Sequence, residues 1–174
     1  NAVGVMVGNG MFNVVKTPHR YTKLVNSFGR PMVLLQMRLT YADGTSEVVA
    51  TDGSWLAAPG PITFSSTYGG EDYDATKEIP GWDKVHATGA RDTQWAAAQV
   101  IDSPWGVLRP EVAPAVRIMH VYEPVKRTEP TPGVTVYDLG QNFAGWPEVR
   151  VKGAAGAVLK MTPGELLYPD GTVS

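Results

Sequence analysis

The sequence predicts an all-β protein made of antiparallel β-sandwich, jelly-roll-like pieces, two of them, with little helix. Three observations carry this. Alternation with a period of two recurs along the chain, while no long segment repeats its apolar residues every 3.6 positions. Gly (19) and Pro (14) punctuate the 174 residues, and each inside a helix would cost about 1 or 3 kcal/mol. Turn signals return at short intervals: Gly8-Asn9-Gly10, Asp43-Gly44, Asp52-Gly53, Pro59-Gly60-Pro61 and Pro169-Asp170-Gly171.

Taken in order, Ala2–Val7 alternates small and β-branched residues and reads as a strand ending at the first of these turns. Met11–Pro31 has no clear period and reads as a long ordered loop, a feature that usually serves a site. Met32–Ala42 is the strongest strand pattern, with Val33, Leu35, Met37, Leu39 and Tyr41 on one face. Asp43-Gly44 predicts a type I′ hairpin turn with φ > 0 at both central residues, returning the chain through Thr45–Thr51. Asp52-Gly53 turns it again into Ser54-Trp55-Leu56. Beyond the Pro59-Gly60-Pro61 corner, Ile62–Phe64 and Tyr68–Ala75 read as short strands. Pro80-Gly81-Trp82-Asp83 opens a loop or a single helical turn. Trp95–Ile101 is short and lies close to Pro104, which favours strand over helix. Ser103–Pro114 is a connector, Ala115–Tyr122 a strand, Glu123–Gly133 an extended Pro-bearing stretch and Val134–Leu139 a strand. A tight loop, Gly140–Trp146, follows. Glu148–Lys152 and Ala157–Met161 read as a hairpin around Gly153–Gly156. The expected domains are 1–112 and 113–174.

Bulk composition narrows the function. Net charge is −2 with a pI near 5.9, so no clustered basic surface points to nucleic acid or to an anionic membrane. There is no cysteine, which removes disulfides, thiolate catalysis and Cys-ligated metals. That absence fixes no compartment, and the cytoplasm, the periplasm and the exterior all stay open. No apolar run is long enough to span a bilayer as a helix. The first ten residues carry neither a basic n-region nor an apolar h-region.

The search for chemistry returns little. No G-x-S-x-G elbow, S-x-x-K pair or Gly-rich phosphate loop occurs. His19, His86 and His120 lack zinc-ligand spacing. The acids of Gly70-Glu71-Asp72-Tyr73-Asp74 stand out. In a strand, Asp72 and Asp74 would share one face, where they would bind a hard cation such as Ca²⁺, contact a sugar or simply face water. Five Trp and seven Tyr supply flat faces for stacking on pyranose rings. Phe12, Asn13, Tyr21, Tyr68, Glu71 and Trp146 form the candidate carbohydrate-binding set, and Asp72 and Asp74 the candidate metal ligands. No residue is assigned a catalytic role, and no cofactor is required.

Motifs in order along nearly the whole chain give a resemblance. They are V-G-V-M-V-G-N-G-M-F near the start, L-L-Q-M-R-L-T-Y-A-D-G-T, T-D-G-S-W, Y-G-G-E-D-Y-D-A, Y-D-L-G-Q-N-F-A-G-W and the closing T-P-G-E-L-L-Y-P-D-G. Together they resemble bacterial α-L-rhamnosidases, the inverting glycoside hydrolases of family 78. The resemblance implies an N-terminal accessory β-sandwich lacking its first strands, then the first part of a second β-sandwich. It also implies that the catalytic (α/α)₆ barrel lies elsewhere, so the chain alone is expected to be noncatalytic. Some relatives bind rhamnose with calcium on such a sandwich, which makes a rhamnose-containing glycan the expected partner. A chain beginning and ending within domains would expose strand edges, so a homo-oligomer is also expected.

Overall fold

The computed structural model describes residues 2–85, 95–102 and 106–174. Its elements are β1 (Asn13–Val14), β2 (Asn26–Ser27), β3 (Gln36–Thr40), β4 (Ser46–Ala50), β5 (Leu56–Ala57), β6 (Ile62–Ser66), β7 (Gly70–Tyr73), β8 (Ala96–Ala97), β9 (Lys126–Thr131) and β10 (Val134–Asp138), with one 3₁₀ turn at Ala75–Lys77. The class is all-β. The strands form five two-stranded antiparallel ladders, β1–β2, β3–β4, β5–β8, β6–β7 and β9–β10. Among the described residues no helix is long and apolar enough to cross a membrane. The chain divides into two compact units, Asn1–Val107 and Leu108–Ser174.

In the first unit, β3–β4 is the regular hairpin that its pattern demands, with Met37 opposite Val49 and Leu39 opposite Glu47. Leu35, Met37 and Leu39 are half-buried, while Gln36, Arg38 and Thr40 face water. Met37, Leu39, Tyr41, Val49 and Trp55 line a groove of about 450 Å³. The turn differs from the expected type I′. Gly44 N–H donates to the Tyr41 carbonyl and Tyr41 N–H to the Thr45 carbonyl. Only Gly44 has positive φ (86°), and Asp43 does not. This is a type I turn closed by a Gly bulge, which needs one left-handed residue rather than two. Asp43 is free to serve as a cap instead, accepting from Thr45 N–H and Oγ1.

Trp55 fixes the next corner. Its indole N–H reaches the Ala50 carbonyl, and its carbonyl accepts from Ala98. This continues the β5–β8 ladder, where Leu56 meets Ala97, so 95–101 supplies a strand rather than a helix. Met11–Pro31 is not structureless: β1 pairs with β2, and Phe12 packs on Phe28 at 5.5 Å. Val14, 2% exposed, is the fully buried side chain of the unit's described residues. Ala2–Val7, expected as a strand, joins no ladder among the described residues. The neighbour of Gly4 is the Trp82 ring, which lies where a Cβ on residue 4 would sit.

In the second unit, β9–β10 carries a bulge between Val134 and Val136, and Val136 is its buried apolar residue. β9 contains Pro130, which a two-stranded ladder tolerates because each strand is an edge. Its prolines make that stretch read as extended chain without a defined strand. Val134–Leu139 is the strand expected. Tyr122 stacks on Phe143 at 4.4 Å and 20°, and its hydroxyl accepts from Gln141. The chain closes in a small hairpin: Leu167 bridges Val173, and Asp170 caps the turn through Thr172. Ala115–Tyr122, Glu148–Lys152 and Ala157–Met161, all expected as strands, enter no ladder among the described residues.

Candidate functional site

The residues singled out by sequence converge in part, and Arg20 is what joins them. A turn from Thr17 to Arg20 places His19 in the left-handed region at φ 60° and presents Arg20 to the β6–β7 hairpin. Both terminal contacts of one guanidinium nitrogen go to Asp72, at 2.6 and 2.7 Å. The other terminal nitrogen donates to the Gly69 carbonyl at 3.1 Å. The guanidinium carbon also lies 4.3 Å from the centroid of the Phe64 ring. Phe64 and Asp72 are register partners across the hairpin, so one planar cation covers both members of a cross-strand pair. Planarity, several donors and weak hydration suit Arg to this and exclude Lys.

Two further contacts tie the same loop to the hairpin. Tyr21 meets Tyr68 edge-to-face at 6.1 Å and 85°, and Lys23 Nζ lies 5.6 Å from the Tyr68 ring centre. Asn13 donates through its side chain to Asn9, and Asn9 donates to the Ser65 carbonyl at 3.2 Å. Tyr21, Tyr68 and Asp72 are thus brought into one cluster, with Asn13 linked through Asn9. Phe12 is used against Phe28. Glu71, opposite Ser65 in the ladder, points to the other face of β7 from Asp72. Trp146 belongs to the second unit and is 61% exposed.

The acid pair is corrected by the geometry. Asp74 follows the end of β7 at Tyr73 in extended backbone, with its N–H on the Pro61 carbonyl, but its carboxylate is taken up locally. It is the N-cap of the 3₁₀ turn, accepting from Thr76 N–H at 3.0 Å and Thr76 Oγ1 at 2.6 Å. The Thr76 hydroxyl, then its N–H, holds the Asp74 carboxyl below its ordinary value. Asp72 already has both oxygens on Arg20. Calcium takes six to eight oxygen ligands, and among the described residues no group of three or more His, Asp or Glu side chains could hold a metal ion. These residues do not fit a calcium ion. Tyr73 donates its hydroxyl to Glu78, and that hydrogen bond raises the phenol above its ordinary value.

Arg20 is the residue of this cluster that the sequence does not reveal. It lies 52 positions from Asp72, and no local pattern announces the pairing. Its only signal was a cation beside Tyr21, in a loop too long to be a plain connection.

Comparisons with known proteins decide the family. Residues 1–120 match the α-L-rhamnosidase N-terminal domain family, and residues 128–174 match the bacterial α-L-rhamnosidase concanavalin-like domain family. The chain belongs to the bacterial α-L-rhamnosidase family. An α-L-rhamnosidase of Streptomyces avermitilis is 41% identical over 99% of this chain, which covers 16% of that relative. One from Formosa agariphila is 30% identical over 98% of the chain and 18% of its own length. The solved structure of α-L-rhamnosidase from Dictyoglumus thermophilum superposes with a TM-score of 0.60 at 38% identity, over 68% of this chain and 13% of that one. The chain therefore spans about one-sixth of the curated relatives it matches. The family implied by the ordered motifs is the one these matches show.

Proposed function

We propose that this chain is a noncatalytic β-portion of an α-L-rhamnosidase, acting as scaffold for hydrolysis carried out elsewhere in the enzyme. The observation that carries the reading is the pairing of two domain matches with coverage. Some 99% of the chain aligns in order with only 16% of the Streptomyces relative, through its N-terminal and concanavalin-like domains. The site supports it. An inverting glycosidase needs an acid and a base about 6.5–9.5 Å apart across a sugar, whereas here Asp72 is ion-paired with Arg20 and Asp74 caps a turn. The purified chain is expected to release no aglycone from an aryl α-L-rhamnoside. Turnover that co-purifies with it would refute the reading.

A second reading, contact with a rhamnose-type glycan, is favoured by one feature. Tyr21 is 67% exposed and held edge-on to Tyr68 next to Lys23, leaving an aromatic surface beside a donor. Calorimetric titration with L-rhamnose should then show heat that Tyr21→Ala abolishes and that added Ca²⁺ leaves unchanged. No heat at millimolar sugar leaves pure scaffold.

A further inference from the structure

Asn9-Gly10 is a dipeptide whose chemistry the scaffold reading leaves unused. Of the chain's five asparagines, Asn9 alone precedes a glycine. A backbone nitrogen attacks the side-chain amide carbon of the residue before it most readily when its own residue has no Cβ to obstruct the approach. The two reacting groups are held very differently here. Gly10 is exposed, has φ 50° and has nothing within 4 Å of the place a Cβ would take. Among the described residues its N–H donates to no backbone carbonyl. The nucleophile is therefore open to water and base. The electrophile is clamped. Asn9 is half-buried. Its Nδ2 donates to the Ser65 carbonyl at 3.2 Å, and its Oδ1 accepts from Asn13 Nδ2 at 3.1 Å. Its own carbonyl accepts the Asn13 N–H at 3.1 Å. Closing a five-membered ring between Cγ and the Gly10 nitrogen carries χ1 of Asn9 out of its staggered well, and that rotation breaks both side-chain bonds.

We infer that Asn9 is a self-modification site, converting to aspartyl and isoaspartyl forms at a rate set by the release of this clamp. First, the Gly10 nitrogen gives its proton to base and bonds to Asn9 Cγ. The Cγ–Nδ2 bond breaks, and Nδ2 takes up a proton and leaves as ammonia. Water then opens the cyclic imide. Breaking the new bond between nitrogen and Cγ leaves aspartate at position 9. Breaking the original peptide bond instead leaves isoaspartate, with the chain running through Cβ and Cγ. One water is consumed and one ammonia released, with no change of oxidation state. Both products lose the Nδ2 donor to Ser65, and net charge falls from −2 to −3. In the isoaspartyl form the carbonyl that accepts the Asn13 N–H becomes part of a free carboxylate. The clamp ties β6 to the segment entering β1, which carries the buried Val14. Modification is thus a one-way release of that segment, leaving the Arg20 and Tyr21 contacts to hold the loop on the β6–β7 hairpin.

Ageing the purified chain at mildly alkaline pH, folded and in urea, tests the inference. The peptide around Asn9 is followed by mass for the gain of an amide becoming an acid, and the solution for released ammonia. Conversion is expected in both conditions, at least about 10-fold slower in the folded chain, where local opening must come first. Asn13→Ala removes one bond of the clamp and should speed conversion of the folded chain about 5-fold. Asn13→Asp, which keeps the size and sets a carboxylate against Oδ1, should speed it too and serves if the first variant does not fold. Gly44→Ala, in the β3–β4 turn, should leave the rate unchanged. Gly10→Ala should slow conversion in urea, where no folded structure is at stake. The aged product, one charge more negative, separates by anion exchange, and its β1–β2 amides should exchange about 5-fold faster than those of fresh protein. Equal rates in the two conditions, conversion confined to urea or absent from it, or Asn13 variants at the unmodified rate each overturn the inference. So does Gly44→Ala matching Asn13→Ala, Gly10→Ala without effect in urea, or unchanged β1–β2 exchange in the product.

Discussion

Aspartate in this protein works through hydroxyls two residues on. Asp43, Asp52, Asp74 and Asp170 are each followed by Thr or Ser at the second position, and each accepts from that residue's N–H and hydroxyl. The four carboxyls lie below their ordinary value; for Asp43, Asp52 and Asp74 the hydroxyl is the larger cause, and for Asp170 the backbone N–H is. A folded-state value below the unfolded one contributes stability above the unfolded value of about 3.9. That contribution is lost as pH falls through the folded value. The turns should therefore hold at neutral pH and loosen below about pH 4. Thr45→Val should move the Asp43 carboxyl up toward its ordinary value by NMR titration, with Asp170 unmoved as internal control. Arg20 makes the second residue-scale prediction. Its pair with Asp72 is half-exposed, 29% and 51%, so screening limits the ion pair itself to under about 1 kcal/mol. Adding the Gly69 hydrogen bond and the Phe64 contact brings Arg20→Ala to about 1–2 kcal/mol. Amides of β6–β7 should then exchange about 5–30-fold faster. Arg20→Lys should recover only part, because a point charge cannot reach Asp72, Gly69 and Phe64 together.

At the scale of elements, each hairpin hangs on one or two positions. Gly44 sits at φ 86°, where a side chain costs about 1–2 kcal/mol, so Gly44→Ala should open β3–β4 selectively in exchange measurements. Gly4→Ala would drive a methyl into the Trp82 ring; overpacking of this kind costs about 1–3 kcal/mol and should change Trp82 fluorescence. Legibility in the sequence follows the same lines. β3, β4, β6, β7 and β10 could be read because alternation and Gly-bearing turns are local signals. β9 was hidden by Pro130, which breaks a central strand but sits easily on an edge. β1–β2 was hidden by length, since two-residue strands have no period to detect. Within the Arg20 cluster, Tyr21 and Tyr68, which meet edge-to-face, carry a residue-type signal in the sequence. The Arg20–Asp72 bond carries none, because a contact 52 residues apart leaves no trace in spacing. Asp72 and Asp74 do not act as a pair because Arg20 holds the first and Thr76 the second, partners that the two-residue spacing does not reveal.

The whole molecule is short of core. Among its described residues Val14 and Val136 are the buried apolar side chains, and the chain exposes 15519 Å² where an unfolded chain of its mass would expose about 27,000 Å². It thus buries a little over two-fifths of its surface, where a finished domain of this size buries about two-thirds. The Met37–Leu39–Val49–Trp55 groove is one of the apolar faces that this shortfall leaves open. Calorimetric unfolding of the purified chain tests this most directly. A fully packed protein of 174 residues absorbs about 120 kcal/mol near 60 °C. A broad transition with about three-fifths of that heat, in proportion to the area buried, is expected. A single sharp endotherm of full size from the monomer would contradict it.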